Sequence, residues 1–392
     1  MAGRPSEGGR PSAISRPGPL VLLLVAALVL AATVVALTSG DDVRRPSDPG
    51  PTPPVGAALP GAHSARPGVL LARPASPEED NTTLRALVDL IRTTPAGERI
   101  RILAHSFSFV PVADELVEAH RRGVDVQVVV DRSVSAGWVA PDLLRDALGT
   151  DQGAGSFLRL APGDLHQKTW SFTRTGSTRD VVLVGSMNVT YQSARQYNDV
   201  VSYVGDRAVR RVFDRRFLDV ARGLPDVPPS GPVDLGPDRA WFFPGYDRST
   251  DPVLQQLRAV PPVGARIRVV MYAWLDERGL DLARLLVGKD DAGADVEVVL
   301  GVSTGPQVRQ ELEASGVEVH SGVLADGDVH HKLTLVRHRS AEGPVRFVLT
   351  GSDNYTTRSF DRPELLLRLD GSVAGRYARY DRWVDRLVAR GR

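Results

Sequence analysis

Short stretches of apolar and polar residues follow one another along the chain with two different periods. Helical spacing over 81–92 is followed by an alternating stretch at 99–103, a second amphipathic stretch at 112–122 and a continuous apolar run at 124–130. Apolar residues three and four apart indicate a helix, whereas alternation or a short apolar run indicates a strand. This order predicts a β-α-β unit, whose two strands lie parallel in one sheet because a crossover helix connects them.

The same order of elements returns in the second half of the chain. The pattern predicts a strand over 266–270, a helix over 280–287 and a strand over 294–300. The sequence GVDVQVVV at 123–130 matches GADVEVVL at 293–300, and the offset between equivalent positions is nearly constant. Self-similarity at a fixed offset indicates an internal duplication.

Each copy ends in the same series of polar residues. Residues 166–188 read His-x-Lys, a hairpin-like connection and then Gly-Ser-x-Asn, and residues 330–354 repeat this series. If both pieces are strands, residues two apart share a face, so each His points with its Lys and each Ser with its Asn. The two sets are His166, Lys168, Ser186 and Asn188 in the first half, and His330, Lys332, Ser352 and Asn354 in the second.

Two further observations single out the motif residues. His331 falls on the opposite face from Lys332, because neighbouring residues in a strand point to opposite sides, so His330 is predicted to be the reactive histidine. Lysine is also scarce, since only three of the 48 basic residues are lysines, and two of these three are Lys168 and Lys332. Arginine carries most of the positive charge in this chain, so a compact ammonium beside each histidine indicates a chemical requirement.

These paired motifs resemble those of the phospholipase D superfamily, in which His-x-Lys and a following Gly-Ser-x-Asn occur in each of two halves. The resemblance covers roughly residues 69 to 392. It implies an α/β fold, a duplicated phospholipase D-like α-β-α sandwich whose halves are related by a pseudo-twofold, with the active site between them. One feature departs from the family: the Asp expected five residues after each Lys is replaced by Thr173 and Arg337.

Two histidines suit the cleavage of a phosphodiester. An imidazole has an unperturbed pKa of about 6.5, so one ring can be a neutral nucleophile while the other is protonated. The resemblance implies that His166 attacks phosphorus to form a phosphohistidine and that His330 is the acid and base, although the pseudo-symmetry leaves the reverse order open. It also implies that the lysines, asparagines and serines of both sets hold the phosphate oxygens. No metal or cofactor is expected.

A catalytic imidazole needs its second nitrogen held in place, usually by a carboxylate. Asp199 and Glu364 each open an apolar strand shortly after the Asn of their motif, where the family places such a carboxylate. They are therefore predicted to orient the two histidines. Side chains that follow the first strand of each half are candidates for a substrate entrance or for the core, namely His105, Phe107, Phe109, Tyr272 and Trp274.

Composition narrows the classes of function. The chain has 392 residues with 42% hydrophobic content, which is enough for two domains or one large duplicated domain. It has no cysteine, which excludes thiolate catalysis, disulfides and cysteine-based zinc sites. A net charge of +1 provides no electrostatic argument for nucleic-acid binding, which depends on a concentrated basic surface. Both halves of the site lie in one chain, so a monomer is expected.

The first part of the chain predicts a membrane anchor and a tether. Arginines precede an apolar run over 20–37 that contains one polar residue, Thr33, and is close to the length that spans a bilayer; this charge distribution predicts an N-terminus in the cytoplasm. A signal anchor over 1–38 and a proline-rich linker over 39–68 are therefore predicted to hold the protein at the extracellular side of the cell membrane. Secretion after cleavage of a signal peptide is the alternative. Prolines after residue 223 divide the remainder into halves at 69–226 and 227–392.

These observations lead to one functional prediction and three alternatives. The prediction is a phospholipase D-type phosphodiesterase that hydrolyses phospholipid head groups at a membrane surface, with transfer to other alcohols. The alternatives are a nuclease or another phosphodiesterase on the same fold, a phosphatidyltransferase similar to cardiolipin synthase, and a binding module that has lost turnover. The replaced Asp positions, Thr173 and Arg337, favour the last alternative, whereas the two complete motif sets argue against it.

Overall fold

A computed structural model describes residues 65–75, 82–161, 163–223 and 231–391 of the chain. In these residues the strands are β1 Gly68–Ala72, β2 Arg99–Ala104, β3 Asp125–Asp131, β4 Phe157–Ala161, β5 Thr169–Thr175, β6 Thr178–Gly185, β7 Gln196–Val204, β8 Val233–Leu235, β9 Asp238–Phe242, β10 Arg266–Trp274, β11 Asp295–Thr304, β12 Glu318–Ser321, β13 Val323–Leu324, β14 Gly327–Val329, β15 Lys332–Ser340, β16 Gly343–Gly351 and β17 Leu365–Asp370. The helices are α1 Thr82–Arg92, α2 Val110–Arg121, α3 Arg132–Ser135, α4 Val139–Leu148, α5 Tyr191–Ala194, α6 Arg207–Arg222, α7 Pro252–Arg258, α8 Asp276–Asp291, α9 Pro306–Glu313 and α10 Arg376–Arg390. Two 3-10 turns lie at Thr357–Asp361 and Val373–Gly375.

The strands form two mixed sheets that repeat one plan. The first sheet has the order β13-β14-β7-β6-β5-β2-β3-β4, with β1 also paired to β7, and the second has the order β12-β11-β10-β15-β16-β17-β9-β8. Strands β2 and β3 pair in parallel, as do β10 and β11, which confirms both predicted β-α-β units. The predicted strand over 266–270 continues to Trp274, because the apolar run continues through that residue.

The sheets stack with helices on their outer faces. Apolar residues of α1, α2 and α4 share one hydrophobic core with the first sheet, and those of α7, α8 and α9 share another with the second sheet. A third core joins the sheets to each other and to α6 and α10; it contains Val184, Val201, Leu333 and Leu365. The predicted α/β fold with two repeated halves is confirmed. The motif residues lie where strands of the two sheets end beside this shared core.

Backbone hydrogen bonds join the two halves directly at the histidine motifs. The short strand β14 comes from the second half of the chain but pairs with β7 of the first sheet. The amide of His330 then donates to the carbonyl of Tyr197 at 2.9 Å. In the pseudo-symmetric place, the amides of His166 and Gln167 both donate to the carbonyl of Pro363, at 3.0 and 2.8 Å. Each motif is therefore held by the opposite half.

The predictions for the N-terminal part need correction. The proposed signal anchor over 1–38 and nearly all of the linker over 39–68 lie outside the described residues, and Gly68 already belongs to a strand. Among the residues that the structure describes, no helix is both long enough and apolar enough to cross a bilayer. The membrane anchor, the signal and the extracellular location inferred from the apolar run are therefore not supported and are withdrawn.

The predicted boundary between the halves near 226 falls within 224–230, which lies outside the described residues. The division into 69–226 and 227–392 therefore stays a prediction. The exchange of β14 into the first sheet means that the two sheets do not coincide with two separate stretches of chain.

Candidate active site

The two His-x-Lys segments lie at the entry to strands rather than within them. His166 and Lys168 immediately precede β5, and His330 precedes β15, whose first residue is Lys332. Both lysines are buried, and each ammonium turns back to the carbonyl of its own motif histidine, at 2.6 Å for Lys168 and 3.0 Å for Lys332. A buried ammonium is costly unless it has partners, and these carbonyls supply a partner to each lysine.

The glycine of each Gly-Ser-x-Asn motif allows a close approach between neighbouring backbones. A Cβ at Gly185 would lie 2.1 Å from the carbonyl oxygen of Asp199, and a Cβ at Gly351 would lie 2.2 Å from that of Leu365. Gly351 also has a φ of +136°, which strongly favours glycine. The motif therefore needs glycine at this position so that the strand can end against its neighbour and turn the Asn into the site.

Asn188 and Asn354 are both buried at the end of this turn. The side-chain oxygen of Asn354 accepts from the amide of Ala273 at 3.4 Å, but its Nδ2 is buried without a hydrogen-bond partner among the described residues. Asn188 likewise has a buried, unpartnered Oδ1. Unsatisfied buried amide groups are costly, and such groups in a folded protein call for a specific explanation. Asn354 thus offers a hydrogen-bond donor to an anion bound between the motifs.

The first histidine is oriented by a carboxylate from the other half of the chain. His166 Nδ1 lies 2.7 Å from Glu364 Oε1, and both side chains are fully buried. Arg362 binds the same carboxylate oxygen at 2.9 Å. The prediction made for Glu364 therefore agrees with its position. A carboxylate at this distance favours the tautomer with its hydrogen on Nδ1, which leaves the lone pair of the neutral ring on Nε2.

Burial dominates the ionisation of this pair. It holds the pKa of His166 well below its ordinary value, and the charges of Arg362, Lys168 and, from across the site, Lys332 act in the same direction. Burial also raises the pKa of Glu364 to about 7, although Arg362 and Lys168 oppose that shift. Near neutral pH the imidazole is therefore uncharged, and the carboxylate changes its protonation in the physiological range.

The second histidine has a different partner from the one predicted. His330 Nδ1 lies 2.9 Å from the side-chain oxygen of Asn198, and its Nε2 lies 3.2 Å from Lys332 Nζ. Asn198 follows Asn188 by the same number of residues as Glu364 follows Asn354, so equal spacing in the two motifs could have identified it. Residue type alone favours Asp199, the carboxylate next to Asn198 in sequence.

That neighbouring carboxylate, Asp199, orients His331. Asp199 Oδ1 lies 2.9 Å from His331 Nδ1, and Trp383 Nε1 donates to His331 Nε2 at 2.9 Å. An indole can only donate, so this Nε2 must accept and the hydrogen must be on Nδ1. Both nitrogens of His331 are therefore engaged by Asp199 and Trp383, and the choice of His330 as the reactive histidine stays a prediction. Hydrogen bonds from His331, Thr350 and Tyr380 lower the pKa of Asp199, although burial opposes them.

The serines of the two motifs hold the orienting residues. Ser186 Oγ donates to the side-chain oxygen of Asn198 at 3.1 Å, and Ser352 Oγ donates to Glu364 Oε2 at 2.5 Å. Each hydroxyl also accepts a backbone amide from the following strand. The resemblance implies that the serines bind phosphate oxygens. In this structure they instead hydrogen-bond to Asn198 and Glu364, which lie beside the two histidines.

Only part of the predicted substrate entrance is at the site. The ring of His105 contacts His166 with centroids 4.6 Å apart, and the ring of Tyr272 contacts His330 at 4.5 Å in the pseudo-symmetric position. The other three candidates are buried in the hydrophobic cores: Phe107, Phe109 and Trp274. Strand alternation does not account for this division, because His105, Phe107 and Phe109 lie beyond the end of β2, and β10 has a register irregularity between Met271 and Ala273.

Comparison with known proteins supports the phospholipase D-like fold. Residues 87–220 match the family described as "Cardiolipin synthase, PLD-like domain". This stretch contains the first His-x-Lys and Gly-Ser-x-Asn motifs. The chain has a phospholipase D-like fold. The resemblance to the phospholipase D superfamily stated from the motifs is confirmed, and no curated protein sequence matches the chain.

Several solved structures resemble the phospholipase D-like fold of this chain. Phosphatidylserine synthase from Haemophilus influenzae is 14% identical, with a TM-score of 0.56, over 82% of this chain and 86% of its own. Polyphosphate kinase from Porphyromonas gingivalis is 15% identical, with a TM-score of 0.55, over 83% of this chain. The alignment spans 50% of the kinase. Nuc from Salmonella typhimurium, a phospholipase D family member, is 22% identical over 40% of this chain and 96% of its own, with a TM-score of 0.32.

The departure from the phospholipase D motif lies away from the site. Thr173 is five residues beyond Lys168 along β5, which corresponds to roughly 17 Å of extended strand. Its hydroxyl donates to Glu98 and accepts the amide of Arg99. Arg337 has the equivalent place in β15 and is exposed. A side chain at either position is too far along its strand to touch a phosphate between the histidines, so the replacements do not alter the site itself.

Two groups of residues have the geometry to hold a metal ion within the described part of the chain. One consists of His105, Asp131 and Asp164, and the other of Glu297, Glu318 and His320. In the first group, Asp131 already accepts the amide of Leu165 at 2.6 Å, and Asp164 pairs with Arg358 at 2.5 Å. Both carboxylates of this group therefore already have partners within the protein.

Proposed function

We propose that this protein cleaves phosphodiesters through a covalent phosphohistidine, and that its substrates are phospholipids, whose head group it releases while the phosphatidyl group passes to water or to another alcohol. The observation that carries the proposal is the exchange of partners between the halves. His166 lies beside Glu364, and His330 lies beside Asn198, so each histidine is oriented by a residue from the opposite half of the chain. Two oriented imidazoles with two buried lysines form a site for a phosphate monoanion.

In the first step, Nε2 of His166 attacks phosphorus and the bond from phosphorus to the leaving oxygen breaks. The ring would then carry a positive charge, since Nε2 is bonded to phosphorus while Nδ1 keeps its hydrogen. Glu364 stabilises that charge at 2.7 Å. His330 gives a proton to the departing alkoxide, which is otherwise a poor leaving group.

In the second step, His330 takes a proton from water or from an acceptor alcohol. The oxygen attacks phosphorus, the bond between phosphorus and Nε2 breaks, and His166 returns to its neutral form. Water gives phosphatidic acid, whereas an alcohol gives a new phosphodiester. Lys168, Lys332 and Asn354 stabilise the negative charge on the non-bridging oxygens during both steps.

The choice of a lipid rests on the comparisons. The matching family is described as cardiolipin synthase, and one similar structure is a phosphatidylserine synthase. Both names refer to phosphatidyl transfer, which favours transfer to an alcohol as the second candidate activity. The predicted membrane anchor, which also favoured a lipid substrate, is withdrawn. The net charge of +1 still provides no argument for a nucleic-acid substrate.

The test is to incubate the purified full-length chain with three substrates, namely mixed micelles of anionic and zwitterionic phospholipids, single-stranded DNA and bis(p-nitrophenyl) phosphate. Glycerol is added to half of the micelle samples, and His166→Ala is the inactive control. We expect release of head groups and, with glycerol, formation of phosphatidylglycerol. Cleavage of DNA without lipid turnover would identify a nuclease, and no turnover of any substrate would identify a binding module.

Glu364→Gln is expected to reduce kcat/KM at pH 8 by roughly 10²- to 10⁴-fold, because an amide cannot neutralise the charged phosphohistidine. In the wild type, activity should fall as the pH drops through about 7, the pKa of Glu364. A protonated Glu364 would donate to Nδ1 and leave the ring hydrogen on Nε2, which removes the nucleophilic lone pair. This acid limb should be absent in the variant.

The control for Glu364→Gln is the same change at Glu342, which is exposed in the turn between β15 and β16. An unchanged acid limb in Glu364→Gln, with normal thermal unfolding, would contradict the assigned role of Glu364.

Chelation with EDTA is expected to leave the initial rate unchanged, because imidazoles and ammonium groups supply the acid and the positive charge that a metal ion would supply. The measurement is the rate of p-nitrophenol release after dialysis against EDTA. Loss of activity that zinc or calcium restores would contradict this expectation. His105→Ala would then show whether the group containing His105 holds the ion.

A further inference from the structure

The partners of the two catalytic histidines are chemically different although their places in the fold are equivalent. Glu364 and Asn198 occupy the same position in the two halves, each accepts a hydrogen bond from the serine of its motif, and each faces Nδ1 of the histidine from the opposite half. One is a carboxylate and the other is a neutral amide. The duplicated geometry is thus nearly symmetric, but its electrostatics are not.

The orientation of the Asn198 amide is determined by its own neighbours. Nδ2 donates to the carbonyls of Ser193 and Gln196, each at 3.3 Å. Since these carbonyls can only accept, the nitrogen must face them and the oxygen must face His330. The oxygen in turn can only accept, so the hydrogen of a neutral His330 ring lies on Nδ1 and the lone pair lies on Nε2. Asn198 thereby selects one tautomer without adding a charge.

We propose that Asn198 is a positioning residue whose neutral amide lets His330 give up and take back a proton, whereas the Glu364 carboxylate suits His166 to covalent catalysis. The difference between the amide and the carboxylate then determines which histidine has which role. The inference rests on the proposed function. His166 becomes a charged phosphoimidazole and needs a counter-ion. His330 must release a proton to the leaving group and take one back within each turnover, and a carboxylate partner would hold that proton more tightly.

The other groups around His330 do not replace a carboxylate. Lys332 Nζ is 3.2 Å from Nε2, and its positive charge opposes protonation of the ring. The Tyr272 ring packs against the imidazole and also lies under the Lys332 ammonium, at 4.7 Å. Asp199 is the acidic residue next in sequence to Asn198, but it is engaged by His331 and Tyr380. Of these described contacts, the partner at Nδ1 is therefore the one whose exchange for a carboxylate changes how readily His330 gives up its proton.

The experiment exchanges the partner in the full-length protein. Asn198→Asp places a carboxylate at Nδ1 of His330 and is compared with Glu364→Gln, the opposite change at the equivalent position. Two quantities are measured, namely the pH dependence of kcat/KM for a phospholipid and the titration of His330 followed by NMR with labelled histidine. We expect Asn198→Asp to move the His330 pKa and the alkaline limb of the profile upward together, by roughly 1 to 3 pH units. Glu364→Gln should leave the alkaline limb in place.

A purely structural role for Asn198 would lower the rate at every pH without moving the alkaline limb, and that result in a folded Asn198→Asp protein would overturn the proposal. Movement of the acid limb would overturn it too, because His330 would then be the nucleophile. If the variant does not fold, the tautomer of wild-type His330 decides instead. A neutral ring with its hydrogen on Nδ1 supports the proposal, and one with its hydrogen on Nε2 contradicts it. The tautomer is independent of turnover, so a wild type that cleaves no phosphodiester refutes only the proposed function.

Discussion

His166→Ala is expected to abolish turnover, with a loss of about 10⁶-fold, the scale observed when the covalent nucleophile is removed from other hydrolases. The reason is that Nε2 of His166 forms the bond to phosphorus, while His330 is paired with an amide and His331 is engaged at both of its nitrogens. His166 is fully buried and Glu364 lies 2.7 Å from Nδ1. Water at the vacated position cannot form the covalent bond to phosphorus that Nε2 provides.

The test measures both the rate of turnover and the covalent adduct on the protein. Wild-type protein is mixed with a phospholipid labelled at phosphorus, quenched in base and digested, and the acid-labile label is located by mass spectrometry. We expect the label on His166. The matched control is His338→Ala, which removes a histidine near the far end of β15 and should change neither the rate nor the label. Label on His330 would reverse the assigned roles, and the absence of any acid-labile label would contradict covalent catalysis.

His330→Ala is expected to reduce turnover of a phospholipid by roughly 10²- to 10⁴-fold, the usual contribution of a general acid or base. The loss should depend on the leaving group. An alkoxide is strongly basic and needs the proton of His330, whereas p-nitrophenolate leaves without one. With bis(p-nitrophenyl) phosphate the variant should therefore release one equivalent of p-nitrophenol per site rapidly and then continue slowly.

The slow phase arises because His330 also activates the water of the second step. The covalent adduct on His166 should then accumulate, so that His330→Ala is the best form in which to isolate it. A rapid-quench measurement of p-nitrophenol and of the adduct in the same samples checks both statements. Equal losses for the two substrates and no initial burst would show that His330 does not act as the acid and base assumed here.

The parts of the site that could be predicted are those that depend on neighbours in sequence. The residues of His-x-Lys and of Gly-Ser-x-Asn are only a few positions apart, and the repetition of both motifs indicates an internal duplication. Glu364 followed from the same local reasoning. The β-α-β units were predictable too, since amphipathic periods and turn residues are properties of short segments.

Asn198 and His331 show where that reasoning fails. Residue type favoured Asp199 as the partner of the catalytic histidine, because carboxylates usually orient imidazoles. The structure instead pairs Asp199 with His331 and completes that pair with Trp383, which comes from the last helix. Nothing near His331 in sequence indicates an indole that follows about 50 residues later. Partners of this kind are decided by how the sheets stack.

The sequence by itself therefore determined the duplication, the two motif sets and the phospholipase D-like fold. Each of these can be recognised from the spacing of apolar residues within short segments and from the repetition of those segments. The tertiary structure alone decided which side chain faces which histidine, that the serines support Asn198 and Glu364, and that β14 joins the first sheet. These are contacts between segments that are distant in the chain, and they arise from packing two similar sheets against one core. A one-residue difference along a strand reverses the face to which a side chain points, and at Asn198 and Asp199 that difference separates a neutral amide from a carboxylate.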